Sequence, residues 1–214
     1  MGERRVVITG MGVVTPLGND LKSTWAALTA GKSGAGPITA FDATDYPSRI
    51  AAELKDFVPE NYVLPKEVKR FDRFSLFAMA ASKEAWADSG LEGHSYQPSK
   101  MGCILGIGVG GRLTLEENHR DLLEGGPRKV SPFLIPRMIS NLGPGNVGIE
   151  YNLQEVNYTV TSACTSGTHA AGEAYRMIRD GLQDVILTGG VEAGIWPLAL
   201  AGFGRMKAVT TPQD

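Results

Sequence analysis

The segment Tyr158-Thr-Val-Thr-Ser-Ala-Cys-Thr-Ser-Gly-Thr-His169 changes character at its middle. A β-branched run, which favours extended backbone, gives way to small residues and then to a helical pattern, so strand becomes helix within a few positions. The helix that follows is slim, because Ser166, Gly167, Ala170, Ala171, Gly172 and Ala174 leave little side chain on it. Small residues let a helix approach its neighbours closely. With Tyr175, Met177 and Ile178 adding apolar cover, the spacing predicts a central helix packed on several sides. Gly181 is placed to end it, and a strand over 184–188 then runs into Gly189-Gly190. In an open parallel sheet ligands gather at the carboxyl edge of the strands, and Cys164 falls at that edge.

The rest of the chain repeats this alternation. The pattern predicts a strand over 5–9, a helix over 20–30 carrying Leu21, Trp25 and Leu28, and a short strand over 50–54. A longer helix is expected over 69–89, a strand over 101–107, a glycine turn, and a polar helix over 112–123. Pro132, Pro136 and Pro144 punctuate short helices between 131 and 151, since proline is tolerated only in a helix's first turn. Strands alternating with helices imply an α/β fold whose largely parallel sheet is covered on both faces.

The composition excludes several classes of function. The 214 residues are 43% hydrophobic with a net charge of −2, which gives no support for nucleic acid as a partner. No apolar stretch approaches the roughly 20 residues that span a bilayer, and glycines interrupt the apolar run at the amino terminus, so neither membrane nor signal peptide is expected. Cys103 and Cys164 make no disulfide framework, which fits a reducing cytoplasm. No His, Cys and carboxylate spacing matches a metal site, and no cofactor is expected.

A thiol at a helix start has chemistry open to it. The first backbone N–H groups of a helix lack internal partners and carry the positive end of its dipole, which favours thiolate over thiol, and a thiolate is a nucleophile. A base for Cys164 is not evident. His169 is about 140° around the same helix, given about 100° per residue, while His94 in a polar loop and His119 on a charged helix fit solvated side chains. Gly106-Ile-Gly-Val-Gly-Gly111 formally matches a dinucleotide fingerprint, but no acidic residue ends a second strand about 20 residues later, so a close-approach turn is the better account. Lys66, Lys69 and Arg70, with Arg128 and Lys129, form basic clusters that suit either solvated faces or a surface for an acidic partner.

Four stretches resemble a known family: Arg4-Arg-Val-Val-Ile-Thr-Gly-Met-Gly-Val-Val-Thr-Pro-Leu-Gly18, Gly126-Pro-Arg-Lys-Val-Ser-Pro-Phe133, Ser162-Ala-Cys-Thr-Ser-Gly-Thr-His169 and Ala201-Gly-Phe203. The chain is similar throughout to the β-ketoacyl-[acyl-carrier-protein] synthases of fatty-acid synthesis, type II above all. The resemblance implies a thiolase-like fold of αβαβα layers, of which residues 1–214 make an amino-terminal domain stopping short of its end, with the carboxyl-terminal half absent. It also implies a homodimer in the cytoplasm and an acyltransferase in which Cys164 takes an acyl chain from acyl carrier protein before decarboxylative condensation with malonyl-carrier protein.

By position, Val109, Leu134, Ala163, Ala199 and Phe203 resemble residues lining the acyl pocket, Leu134 reaching in from the partner subunit. Lys66, Lys69, Arg70, Arg128, Lys129 and Lys207 match positions that meet the acidic carrier protein. The family takes two catalytic histidines from its second half, in contexts this chain does not contain, so the 214 residues alone are expected to lack condensing activity. A half-fold is also expected to expose apolar faces and to associate. Glu155-Val156 stands where the family has a Gly-Pro turn, and alanine at Ala199 trims the pocket by about one methyl group, worth about 1 kcal/mol against the longest chains. A coenzyme A enzyme of thiolase type and a non-catalytic acyl-binding or dimerising partner are the alternatives.

Overall fold

The computed structural model describes residues 4–93 and 96–211. Its elements run α1 (Leu21–Thr29), β1 (Gly36–Pro37), β2 (Ile50–Ala51), α2 (Arg73–Asp88), β3 (Met101–Gly106), α3 (Arg112–Gly125), α4 (Leu134–Met138), α5 (Leu142–Glu150), β4 (Asn157–Val160), α6 (Ser166–Arg179), β5 (Val185–Gly190) and α7 (Pro197–Arg205). They form two compact units. The larger takes the chain up to Val13 together with Val58–Ala193, the smaller Val14–Phe57 and the chain from Gly194 onward.

The larger unit is built on a parallel sheet in the order β4-β3-β5. Every residue of β3 is buried, as a central strand covered on both faces must be. Its side chains alternate: Cys103 and Leu105, with Ile107 beyond the strand, pack with Phe74 and Met79 of α2 and Val147 of α5. Gly106 faces the other way, onto the first turn of α6. The core lies on the α2 and α5 side, where Phe74, Ile107 and Val147 are wholly buried and each contributes about 2 kcal/mol through removal from water.

The close approach of α6 depends on three glycines. A Cβ at Gly106 would fall inside the carbonyl group of Ser166, and one at Gly167 would lie 2.9 Å from the Cα of Gly190. Backbone therefore rests on backbone where α6 starts over β3 and β5. The helix is not enclosed on several sides, however. It buries one stripe, Ser166, Ala170 and Ala174, while Thr168, His169, Ala171 and Gly172 are exposed, because the sheet offers it a single face and no other described residues cover the rest.

Three other expectations shift. The strand over 5–9 has no ladder partner among the described residues, and Ile8 is 82% exposed; periodicity marks a segment fit for a sheet but cannot supply its neighbour. The segment continues along α2, where Asp88 accepts from the Met11 amide and Glu84 from that of Val13, each at 2.9 Å. α2 itself begins only at Arg73, because the carboxylate of Asp72 accepts from the Phe74 amide and sets the start there, after an isolated 3-10 turn over Val68–Arg70. At the Glu155-Val156 departure, the Glu155 amide donates to Met101 and the Val156 carbonyl accepts from Cys103, so the pair runs straight into the β3–β4 ladder. Ile149 is 80% exposed and Leu123 74%.

In the smaller unit α1 forms as its spacing predicts, capped by Asp20 at the Ser23 amide, though Trp25 and Leu28 remain exposed. The strand over 50–54 shrinks to Ile50–Ala51, paired antiparallel with Gly36–Pro37. Past it, the ladder is replaced by one side chain: Glu53 accepts from the amides of Thr39 and Ala40 and from the Thr39 hydroxyl at 2.7 Å. Desolvation pushes this carboxyl up, but the Thr39 hydroxyl and the two amides outweigh it and bring it below its ordinary value. A lowered folded value means the stabilisation is complete above the ordinary glutamate range and is lost as pH falls through the lowered one. Glu53→Gln is expected to lower stability at pH 7 and to flatten its dependence on pH in the acid range. Urea melts of both proteins between pH 3 and pH 7 measure this; parallel pH profiles would contradict it.

Candidate active site around Cys164

The turn between β4 and α6 is held by backbone geometry that only a clamped chain adopts. Ala163 sits in the left-handed region at φ 53°, a conformation that costs a non-glycine residue about 1–2 kcal/mol. Ser166 holds it there. Its buried hydroxyl donates to the Ala163 carbonyl at 2.6 Å and accepts from the Ser162 amide at 2.9 Å, and its own amide donates to the same carbonyl at 3.1 Å. Such a conformation persists only where the surrounding structure holds it. Between these fixed points stands Cys164, exposed and free, two positions before the first residue of α6.

The other thiol is its opposite. Cys103 is wholly buried in the core, and desolvation pushes it up to about 12, so it stays protonated at neutral pH. His169, exposed on α6, shares a 2.7 Å hydrogen bond through Nδ1 with the Ser162 hydroxyl. His94 lies outside the described residues.

The glycine turn after β3 is fastened to this elbow. Ile107 accepts from the Thr161 hydroxyl at 2.9 Å, and the Gly111 amide donates to Met138 at 3.1 Å. A carboxylate completes the fastening: Glu192, just past the Gly189-Gly190 end of β5, accepts from the Val109 amide at 2.7 Å and from Gly110 at 3.2 Å. Partial shielding from water raises this carboxyl, outweighing the backbone amides of Val109, Gly110, Ala193 and Gly108 that lower it. Hydrogen bonds to a charged acceptor contribute about 1.5–3 kcal/mol, so Glu192→Ala should speed amide exchange at Val109 and Gly110 by about tenfold or more. Unchanged exchange at both amides would show that the turn is held by something else. Sequence reasoning missed both Ser166 as a clamp and Glu192 as an anchor; an acid two residues past a double-glycine strand end was the available signal for the second.

The expected pocket residues fall in both units. Val109 lies in the fastened glycine turn, 42% exposed, Ala163 is the left-handed residue itself, and Leu134 opens α4, half-buried. Ala199 and Phe203 lie on α7 of the smaller unit. Of the basic residues, Lys66, Lys69, Arg70, Arg128 and Lys129 are exposed on the larger unit and Lys207 on the smaller. Arg70 stands over the ring of Phe133 at 6.0 Å. Both also line a surface cavity of about 790 Å³, with Tyr62, Phe71, Met79 and Leu142, which does not include Cys164, Val109 or Ala163.

The chain is similar to known proteins along its whole length. Residues 3–214 match the family described as beta-ketoacyl synthase, N-terminal domain. The 3-oxoacyl-[acyl-carrier-protein] synthase 2 of Coxiella burnetii is 45% identical over all 214 residues, which cover 52% of that protein, so the chain spans about half the length of the curated relatives it matches. The crystal structure of a beta-ketoacyl synthase from Burkholderia phymatum is 32% identical, with a TM-score of 0.85 over 97% of this chain and 51% of that one. A type II polyketide ketosynthase, bound to its acyl-carrier protein, shares the fold at a TM-score of 0.82 and 23% identity, covering 95% of this chain and 55% of its own.

Proposed function

We propose that this chain, which belongs to the β-ketoacyl synthase family, carries the acyl-accepting half of a 3-oxoacyl-[acyl-carrier-protein] synthase, with Cys164 as its nucleophile. The observation that carries the reading is the contrast between two thiols: one exposed on a clamped, strained elbow at a helix start, the other sealed in the core. The sulfur of Cys164 attacks the acyl carbonyl of a carrier-bound thioester, the tetrahedral oxyanion takes backbone N–H donors such as the amide of Cys164, and the carrier's thiol leaves. Malonyl-carrier protein then loses CO₂, and the resulting carbanion attacks the acyl-cysteine, freeing the thiol and giving a 3-oxoacyl product two carbons longer.

In this reading Val109 and Ala163 wall the acyl channel beside Cys164, and Ala199 and Phe203 match acyl-pocket positions of the family, with Leu134 serving the pocket of a second subunit in a cytoplasmic homodimer. The fastening of the 106–111 turn by Glu192 gives that wall a fixed position. Lys66, Lys69, Arg70, Arg128, Lys129 and Lys207 meet the acidic carrier protein. The 214 residues form the amino-terminal part of the catalytic machinery and supply acyl transfer, while the histidines that serve decarboxylation in the family are not among them. Incubation with acyl- and malonyl-carrier proteins separates the two steps. Acyl transfer to protein without 3-oxoacyl product is the expected result; no transfer at all would overturn the acyltransferase reading, and condensation by these residues alone would overturn the division of labour.

A further inference from the structure

The two basic clusters are joined beneath the surface by a chain of hydrogen bonds. Lys69 and Arg70 end a 3-10 turn just before Asp72; Arg128 and Lys129 end another just before Ser131. Asp72, 3% exposed, accepts from the Phe74 amide at 3.1 Å with one carboxylate oxygen and from the Thr114 hydroxyl at 2.5 Å with the other. Thr114 is wholly buried, and its carbonyl accepts from the Asn118 side-chain amide at 2.8 Å. The oxygen of that same side chain accepts from the Ser131 amide at 2.8 Å, and the Ser131 hydroxyl accepts from the Phe133 amide at 3.1 Å. Arg70 over the Phe133 ring closes the circuit at the surface.

We propose that the hydrogen-bonded chain Asp72–Thr114–Asn118–Ser131 sets the spacing of the two basic clusters, so that they engage an acidic protein partner as one surface. The inference rests on the carrier-docking reading and names the positioning residues beneath it. Apolar contact would hold α3 against the start of α2 equally well, but without fixing how far one slides along the other. Directional bonds between buried groups have one satisfied geometry, and any slip leaves a carboxylate or an amide without a partner. That matters for a charged surface, because attraction between exposed charges fades over about 8 Å at physiological ionic strength. A shift of one cluster by a few ångströms takes its charges off their targets. Glu67, 3.8 Å from Arg70, already tempers one cluster, which makes correct placement of the rest count for more.

The test measures the affinity of purified acyl carrier protein for the protein across a range of salt concentrations, in five variants. Thr114→Val removes the hydroxyl at nearly constant shape and is expected to weaken binding by about tenfold, with a shallower salt dependence because fewer charges engage together. Thr114→Ser, which keeps the hydroxyl, should bind within about twofold of the parent. If Thr114→Val does not fold, Ser131→Pro carries the same expectation from a surface segment, since proline has no amide to give Asn118. Lys69→Glu and Arg128→Glu test the docking reading itself. Weakening by these two, with parental affinity and salt slope in Thr114→Val or Ser131→Pro, would overturn the positioning role and leave docking intact. Parental binding by Lys69→Glu and Arg128→Glu would overturn both.

Discussion

Gly106→Val is expected to abolish folding of the larger unit, and Gly106→Ala to destabilise it by about 3 kcal/mol or more. The first side-chain atom at this position would overlap the carbonyl carbon of Ser166 and the nitrogen of Gly167, both backbone, so no rotamer change relieves it. Either β3 leaves the middle of its sheet, at the cost of two parallel ladders, or α6 lifts off with the elbow it begins. Gly189→Ala is the control. A Cβ there meets nothing within 4 Å, and its effect should stay within about 1 kcal/mol. Urea unfolding of the three variants decides the matter; equal midpoints for Gly106→Ala and Gly189→Ala would show that α6 does not rest on β3 backbone to backbone.

Much of this architecture was legible in the residues. The slim helix expected between Cys164 and Gly181 is α6, Ser166–Arg179, because a strand-to-helix change at one end and Gly181 at φ 78° leave little freedom in where it starts and stops. β3 was equally plain, since a short apolar run between turns has few alternatives once buried. What failed to show was whatever depends on a partner distant in sequence. The run over 5–9 has the makings of a strand but no ladder partner among the described residues, and α6 has small residues on faces that the described residues leave exposed. Polar burial was hidden as well: α3 passed for a solvated helix by its charges, yet Thr114 and Asn118 on it are buried and bonded. The nucleophile was visible by type and place, whereas Ser166 and Glu192 became meaningful only when the fold brought them to Ala163 and to the glycine turn.

Cys164→Ala is expected to abolish acyl capture, a loss on the order of a thousandfold or more, as for removal of other covalent nucleophiles. Cys164→Ser should lose nearly as much. A hydroxyl needs a base to become a nucleophile, and among the described residues no side chain hydrogen-bonds to residue 164. Cys103→Ala should retain capture, since that thiol sits wholly inside the core and remains protonated. The three variants together separate loss of a reacting atom from general loss of structure: a fall in capture shared equally by Cys103→Ala would point to the fold, not the elbow.

The most direct measurement is peptide mapping by mass spectrometry after the protein meets an acyl thioester at equimolar concentration. One acyl group on the peptide containing Cys164, with Cys103 unmodified, is the predicted result. Acyl adducts at other positions with Cys164 recovered as a free thiol would contradict the account.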